Sequence, residues 1–179
     1  MKNLKKSIAA MLLLAVSFTN AQEKENMNHN HSNMNMGGMS MNNMQMALKF
    51  NDENIADAYG NYILIKTALV NSNRNEAEKG AALLVKSLKN IKGTDVAIKA
   101  AVSIENSQDL NSQRTAFSTL SDEMAVLVKG NIDSGSIYKD FCPMAINGGA
   151  YWLSSEKNIL NPYFGDKMLK CGTIKEVLQ

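Results

Sequence analysis

The chain has 179 residues, with 19 basic and 17 acidic side chains and two cysteines. This length suffices for one domain with its own hydrophobic core. Lys2, Lys5 and Lys6 lie at the very start, and without them 19 − 3 = 16 basic residues face 17 acidic ones. A chain so nearly neutral gives no reason to expect nucleic acid or an anionic membrane surface as a partner.

The first residues, 1–21, have the pattern of a secretory signal peptide. The three lysines precede an apolar run from Ile8 to Phe18, and Ala21 offers a small residue at the cleavage point. The run is shorter than the roughly 20 residues that a membrane-spanning helix needs. We therefore expect an exported protein, periplasmic or otherwise outside the cytoplasm, that does not span the membrane.

Residues 22–47 form a low-complexity tract of Asn, Met, Ser and Gly with two histidines, which predicts disorder without a ligand. From Gln22 to Gln45 every apolar side chain larger than glycine is methionine, which favours selection for the sulfur over compositional drift. Thioether and imidazole groups bind soft ions such as copper. The candidate ligands for weak metal capture are Met27, His29, His31, Met34, Met36, Met39, Met41, Met44 and Met46.

Residues 48–179 are predicted to form a helical domain. Four proline-free segments before Gly130 repeat apolar residues every three or four positions, as amphipathic helices do. The inward positions are Ile55, Tyr59, Tyr62, Ile65 and Leu69; Ala77, Ala81, Leu84, Leu88 and Ile91; Val96, Ala100 and Ile104; and Leu110, Phe117, Leu120, Met124 and Leu127. Asn75 with Glu78 has the pattern of a capping box for the second helix. Short linkers make neighbours antiparallel, so we predict an all-α fold, an up-and-down four-helix bundle.

The last part of the domain, 137–179, carries both cysteines and ends in a predicted short helix. Pro143 and the two glycines that follow it argue against a helix there, and Ala150–Leu153 fits a short strand or an extended segment. Asn161, followed by a proline, predicts the N-cap of a helix that runs to about Lys170.

Four sulfur atoms in this segment stand in mirrored order, as Cys142 and Met144 near its start and Met168 and Cys171 near its end. Residues three apart share a helix face, and residues two apart share a side of an extended segment, so the four sulfurs can meet. Three structures compete. They are a Cys142–Cys171 disulfide, a Cu(I) site made by the thiolates and one or both thioethers, and a redox-gated version that stays oxidised until reductant and metal arrive.

Trp152 admits two interpretations. It packs this segment onto the helices, or it shields a bound cuprous ion through a cation–π contact. No serine or cysteine nucleophile has a histidine to serve it, because both histidines lie in the tract. The sequence thus predicts no enzymatic activity.

Four short motifs resemble a known exported domain family of Bacteroidetes-type bacteria, whose function is unknown. They are Cys142-Pro143-Met144, Gly149-Ala150-Tyr151-Trp152-Leu153, Asn161-Pro162-Tyr163-Phe164-Gly165 and Met168-Leu169-Lys170-Cys171-Gly172. Similar segments are attached to periplasmic adaptor subunits of heavy-metal efflux systems. The resemblance is specific over 141–172 and looser over the helices, and it implies a helical domain associated with copper or silver handling, with an efflux component as a partner.

The hypothesis from the sequence is periplasmic binding, buffering or delivery of Cu(I) or Ag(I), with Cys142, Met144, Met168 and Cys171 as the tighter site. The alternative is a non-catalytic interaction module of the cell envelope, in which a structural disulfide joins the two cysteines and no metal is bound.

Overall fold

The computed structural model describes residues 47–179, which begin with a short strand, β1 (Lys49–Phe50). Four helices follow, and their bounds are Glu53–Val70 for α1, Arg74–Leu88 for α2, Asp95–Asn106 for α3 and Leu110–Val128 for α4. The predicted signal peptide and the methionine-rich tract, apart from Ala47, lie outside the described residues.

Three of the four helices begin at a side chain that accepts a hydrogen bond from the first turn. Asp52 accepts from the N–H of Asn54 (2.7 Å), and Asp109 accepts from the N–H of Ser112 (2.9 Å). In α2 the cap is Asn73 and not the predicted Asn75. The side chain of Asn73 accepts from the N–H of Glu76 at 3.1 Å. Such caps satisfy backbone donors that have no partner within the helix.

The helices pack in sequence order, each against the next, and α1 also contacts α4. The buried side chains between them follow the predicted spacing; those with no exposed surface include Tyr62, Ile65, Leu69, Leu84, Leu88, Ile104, Phe117, Leu120 and Met124. In α3 the predicted Ala100 and Ile104 are buried, but the prediction for Val96 was wrong, because Val96 is exposed and Ala97 is buried. A helix face that includes Ala97, Ala100 and Ala101 lets α3 approach its neighbours closely.

The all-α prediction is wrong, because the described chain also contains five strands in two antiparallel sheets. In the first sheet β1 pairs with β2 (Ile132–Ser134). The other three strands are β3 (Ile137–Cys142), β4 (Ala150–Ser154) and β5 (Thr173–Leu178). They form the second sheet in the order β4-β3-β5. The protein is therefore mixed α/β, and the segment with the cysteines contains the whole of the second sheet.

The helix predicted from Asn161 to Lys170 is also wrong, since that stretch holds only a 3-10 turn, Gly165–Met168. The cause is Gly165, whose φ of +56° is left-handed and cannot continue a right-handed helix. A Cβ at this position would stand 2.5 Å from Ser72 Oγ, so only glycine permits this approach to the end of α1.

The second sheet is anchored to the helices through β4, which packs against α4 and α1. The hydroxyl of Tyr62 accepts a hydrogen bond from the N–H of Leu153 (2.9 Å) and lies 2.8 Å from Ser121 Oγ. One core therefore continues from the helices into the sheet. None of the helices within residues 47–179 is long and apolar enough to cross a bilayer.

Candidate functional site

The two cysteines, 29 residues apart in the chain, meet at the end of the second sheet. Their Sγ atoms are 3.0 Å apart. Cys142 is the last residue of β3, and Cys171 stands two residues before β5. Because β5 pairs antiparallel with β3 and begins opposite Phe141, the strand register brings Cys171 beside Cys142. The strand pairing, and not the predicted helix, thus brings these two sulfurs together, while the meeting of all four sulfurs stays a prediction.

Both cysteines are free thiols in this structure. Their separation lies between the ~2.05 Å of a disulfide bond and the spacing of two sulfurs that share one ion at bonds of about 2.3 Å each. A small approach of the two Sγ atoms therefore reaches the spacing of a disulfide, and a small separation reaches the spacing of two sulfurs that share a metal ion.

The hydrogen bond with Cys142 raises the pKa of the Cys171 thiol, and burial and the charge of Cys142 add to the rise. A proton shared between two thiols stabilises the protonated pair. A metal ion that binds to thiolates must displace such a proton, so binding at this pair would strengthen as the pH rises.

The two thioethers are held less firmly than the thiols. Met144 lies in the turn after β3 and is 64% exposed, so packing does not fix its side chain. Met168 ends the 3-10 turn and is partly buried, and its carbonyl accepts the N–H of Cys171 at 3.0 Å. Within residues 47–179 no three or more His, Cys, Asp or Glu side chains converge as a metal site. A third protein ligand at the thiol pair would therefore be a thioether or a backbone group.

Asn161 holds the turn that carries Cys171. Its side-chain Nδ2 donates to the carbonyl of Cys171 (2.7 Å), and its backbone N–H donates to the carbonyl of Leu169 (2.9 Å). Its Oδ1 accepts the N–H of Tyr163 (2.8 Å), and the residue is fully buried. Asn161 was predicted to be a helix cap and is instead part of a turn. The Asn-Pro pair is a turn signal, but nothing in the sequence indicates the hydrogen bond from Asn161 to Cys171.

Arg114 of α4 ties the same segment to the helices. Its Nε donates to the carbonyl of Pro162 (2.9 Å), and its guanidinium also donates to Ser72 Oγ (3.0 Å). The residue that follows Pro162, Tyr163, is buried with its ring edge-on to Trp152 at 6.0 Å and bonds through its hydroxyl to the carbonyl of Tyr151.

Trp152 is completely buried on β4, and its ring borders the residue after Cys171. A Cβ at Gly172 would stand 2.6 Å from Cη2 of the indole, at a backbone φ of +149°. The indole thus packs against Gly172 and Tyr163 within the C-terminal segment. A contact between the ring and a metal ion stays a prediction.

A buried acid and a buried lysine lie close to this site and were not singled out from the sequence. Asp140 of β3 is fully buried, and neither of its carboxylate oxygens has a hydrogen-bond partner among the described residues. Burial raises its pKa to about 7, against the opposing charge of Lys66. Burial lowers the pKa of Lys66, while Glu156 and Asp140 oppose that shift. Asp140 stands directly opposite Trp152 in the sheet.

The described chain is thus a mixed α/β protein in which the pairing of β3 with β5 brings two thiols together. Residues 58–135, less than half of the chain, match the family model described as "Protein of unknown function (DUF3347)". The match covers most of α1, the other three helices and β2, whereas the more specific resemblance found in the sequence lies over 141–172. No curated protein and no solved structure matches the chain.

Proposed function

We propose that this protein is an exported binding protein for a soft monovalent metal ion, Cu(I) or Ag(I), which it buffers or delivers without catalysis. The observation that carries the proposal is the 3.0 Å approach of Cys142 and Cys171 Sγ atoms from separate parts of the chain. Thiolates select soft ions, and the pairing of β3 with β5 reduces the entropy lost when both donors bind one ion.

The neighbouring groups support the same proposal. Met144 follows Cys142 by two residues, and Met168 precedes Cys171 by three. An exposed thioether such as that of Met144 is free to rotate and bind an ion held by the thiols. The methionine-rich tract would capture ions weakly and raise their local concentration. An efflux component of the cell envelope is the proposed recipient, and the proposed location is the periplasm after cleavage near Ala21. The mass of the protein recovered from that compartment tests the cleavage.

The central test is a titration of the reduced protein with Cu(I) against a competing chelator. We expect the Cys142→Ser/Cys171→Ser variant to lose at least about a hundredfold in affinity, because loss of an outer-shell partner alone costs 10–100-fold. Met144→Leu and Met168→Leu should each cost less. The matched control is Met124→Leu, since Met124 is a fully buried core methionine. Equal affinity of the double serine variant and the parent would refute the site.

The second candidate function is an interaction module whose aromatic segment is stapled by a disulfide. The same 3.0 Å separation favours it, because a modest approach of the two Sγ atoms would close the bond. The intact mass with and without a thiol label separates the two candidates. A pair that stays bonded under mild reductant, in protein that takes up no Cu(I), supports the interaction module; labelled thiols that are protected by Cu(I) support the metal site.

A further inference from the structure

We infer that Asn161 is the positioning residue of the thiol pair: its amide holds the Cys171 turn so that the Cys171 thiol stays beside Cys142. The inference rests on the proposed function in taking this pair as the site. It adds a residue that bears no sulfur and binds no ion itself.

The two thiols are held by different means. Cys142 belongs to β3, the central strand, which pairs on both sides. Cys171 belongs to no helix or strand, is partly exposed, and is followed by Gly172 at a φ of +149°. The pairing of β5 with β3 brings Cys171 near Cys142, and the final position of Cys171 then depends on the bonds that its own turn makes.

Asn161 supplies two of those bonds. Its side-chain Nδ2 donates to the Cys171 carbonyl at 2.7 Å, and its backbone N–H donates to the Leu169 carbonyl at 2.9 Å. The two carbonyls bracket the turn just before β5. The remaining bond, from the N–H of Cys171 to the Met168 carbonyl, is internal to the turn and does not fix it against the rest of the protein.

Asn161 is in turn fixed to the helical core. It is fully buried, its Oδ1 accepts the N–H of Tyr163 at 2.8 Å, and the next residue, Pro162, is held through its carbonyl by Arg114 at 2.9 Å. A short chain of contacts thus runs from α4 through Pro162 and Asn161 to Cys171. A charge-free amide suits this position, because it donates to one carbonyl and accepts from one N–H without placing a charge beside the thiols.

The expected consequence is a high effective concentration of one thiol for the other. It can be measured without metal, through equilibrium with glutathione. Glutathione disulfide oxidises the pair: the Cys142–Cys171 bond forms, the glutathione disulfide bond breaks, and two molecules of reduced glutathione carry away the two thiol protons. The equilibrium constant of this exchange reports how closely the protein holds its two sulfurs.

The test compares two substitutions with a matched control. Asn161→Ser keeps a short neutral acceptor for Tyr163 but removes the donor to Cys171, so it is the main variant. Asn161→Asp also removes the donor but adds a charge beside the thiols, and it carries the test only if the serine variant does not fold. The control is Thr94→Val, which removes a buried hydroxyl with two bonds of 2.9 Å to Leu88 and Ile91 carbonyls in the α2–α3 connection.

We expect the glutathione equilibrium constant to fall about three- to tenfold in the Asn161 variants, the range that one lost hydrogen bond gives, and to stay within twofold of the parent in Thr94→Val. Unchanged constants in the Asn161 variants, or an equal fall in the control, would overturn the inference. Cu(I) affinity measured in parallel tells the two proposals apart: a fall in the constant with no Cu(I) binding by the parent defeats the metal proposal and leaves the role of Asn161 standing.

Discussion

The core between the four helices and the region around β3 and β4 bury side chains of different kinds. Between the helices nearly every buried side chain is apolar or hydrogen-bonded, as Tyr62 and Ser121 are to each other, with the Oε1 of Gln113 as an exception among residues 47–179. In the sheet region, both carboxylate oxygens of Asp140 and the indole N–H of Trp152 are buried without a hydrogen-bond partner among the same residues. Buried polar groups without partners destabilise a fold. The helical core should therefore contribute more to stability than the sheet region does.

The largest loss of stability should come from shortening a buried side chain in the helical core. Leu84→Ala removes a fully buried side chain of α2 and should lower the free energy of unfolding by about 2–5 kcal/mol. Urea unfolding followed by both far-UV circular dichroism and Trp152 fluorescence checks this, since the protein has a single tryptophan and it lies in the sheet. Because Tyr62 joins both regions, the two midpoints should move together.

The matched control is Leu83→Ala, whose side chain is exposed on the same helix and should change stability by no more than about 0.5 kcal/mol. If Leu84→Ala leaves the urea midpoint of the Trp152 fluorescence unchanged, the helices and the sheet unfold as separate units. That result would contradict the shared core.

A smaller difference in stability should separate two glycine variants, one of which crowds the sheet region. Gly172→Ala forces a Cβ against the Trp152 indole, and we expect a loss of about 1–3 kcal/mol from overpacking beyond the backbone strain. The comparison is Gly93→Ala, at a φ of +79° with no atom within 4 Å of the new Cβ, where strain alone costs about 1–2 kcal/mol. Equal unfolding free energies for the two variants would show that the indole yields to the added methyl group.

The last prediction concerns pH and the buried acid, and its effect is small over any one pH unit. The pKa of Asp140 is about 7 in the folded protein and near 3.9 when unfolded, so the folded state binds the proton more tightly. Stability contributed by the protonated form is fully present below about pH 4 and is lost as the pH rises through 7. Between these two pKa values the slope is at most about 1.4 kcal/mol per pH unit.

Asp140→Asn removes this titration and should be more stable than the parent at pH 8, with a smaller advantage at pH 5. Unfolding free energies of both proteins at several pH values provide the measurement. A difference between them that is constant from pH 5 to pH 8 would contradict the assignment, because it would mean that Asp140 keeps an ordinary pKa.

The helices could be predicted because their signals are local. The apolar positions of α1 and α4 recur at the helical period, and Asn73, Asp52 and Asp109 are ordinary cap residues next to them. The cap error at Asn75 arose because Asn73 and Asn75 are equally good caps two residues apart.

The strands could not be predicted in the same way. β3 is buried or half-buried at all six positions, on both faces of the sheet, so its sequence shows no alternation of apolar and polar residues. β5 is exposed at its first five positions, and only its β-branched residues Thr173, Ile174 and Val177 hint at a strand. The thiol pair was expected from the sequence, but the register that creates it depends on pairing between residues more than 30 apart in the chain. The hydrogen bond from the Asn161 amide to the Cys171 carbonyl, ten residues further on, depends on how the turn between them folds.

Strand β5 is the outer edge of its sheet, and its pairing with β3 contains a bulge. Glu176 faces Lys139 and Ile174 faces Asp140, so Lys175 between them has no partner residue. An irregular, lysine-bearing border offers a poor template to any further strand. The β5 edge of the second sheet is therefore poorly suited to pairing with a strand of another chain.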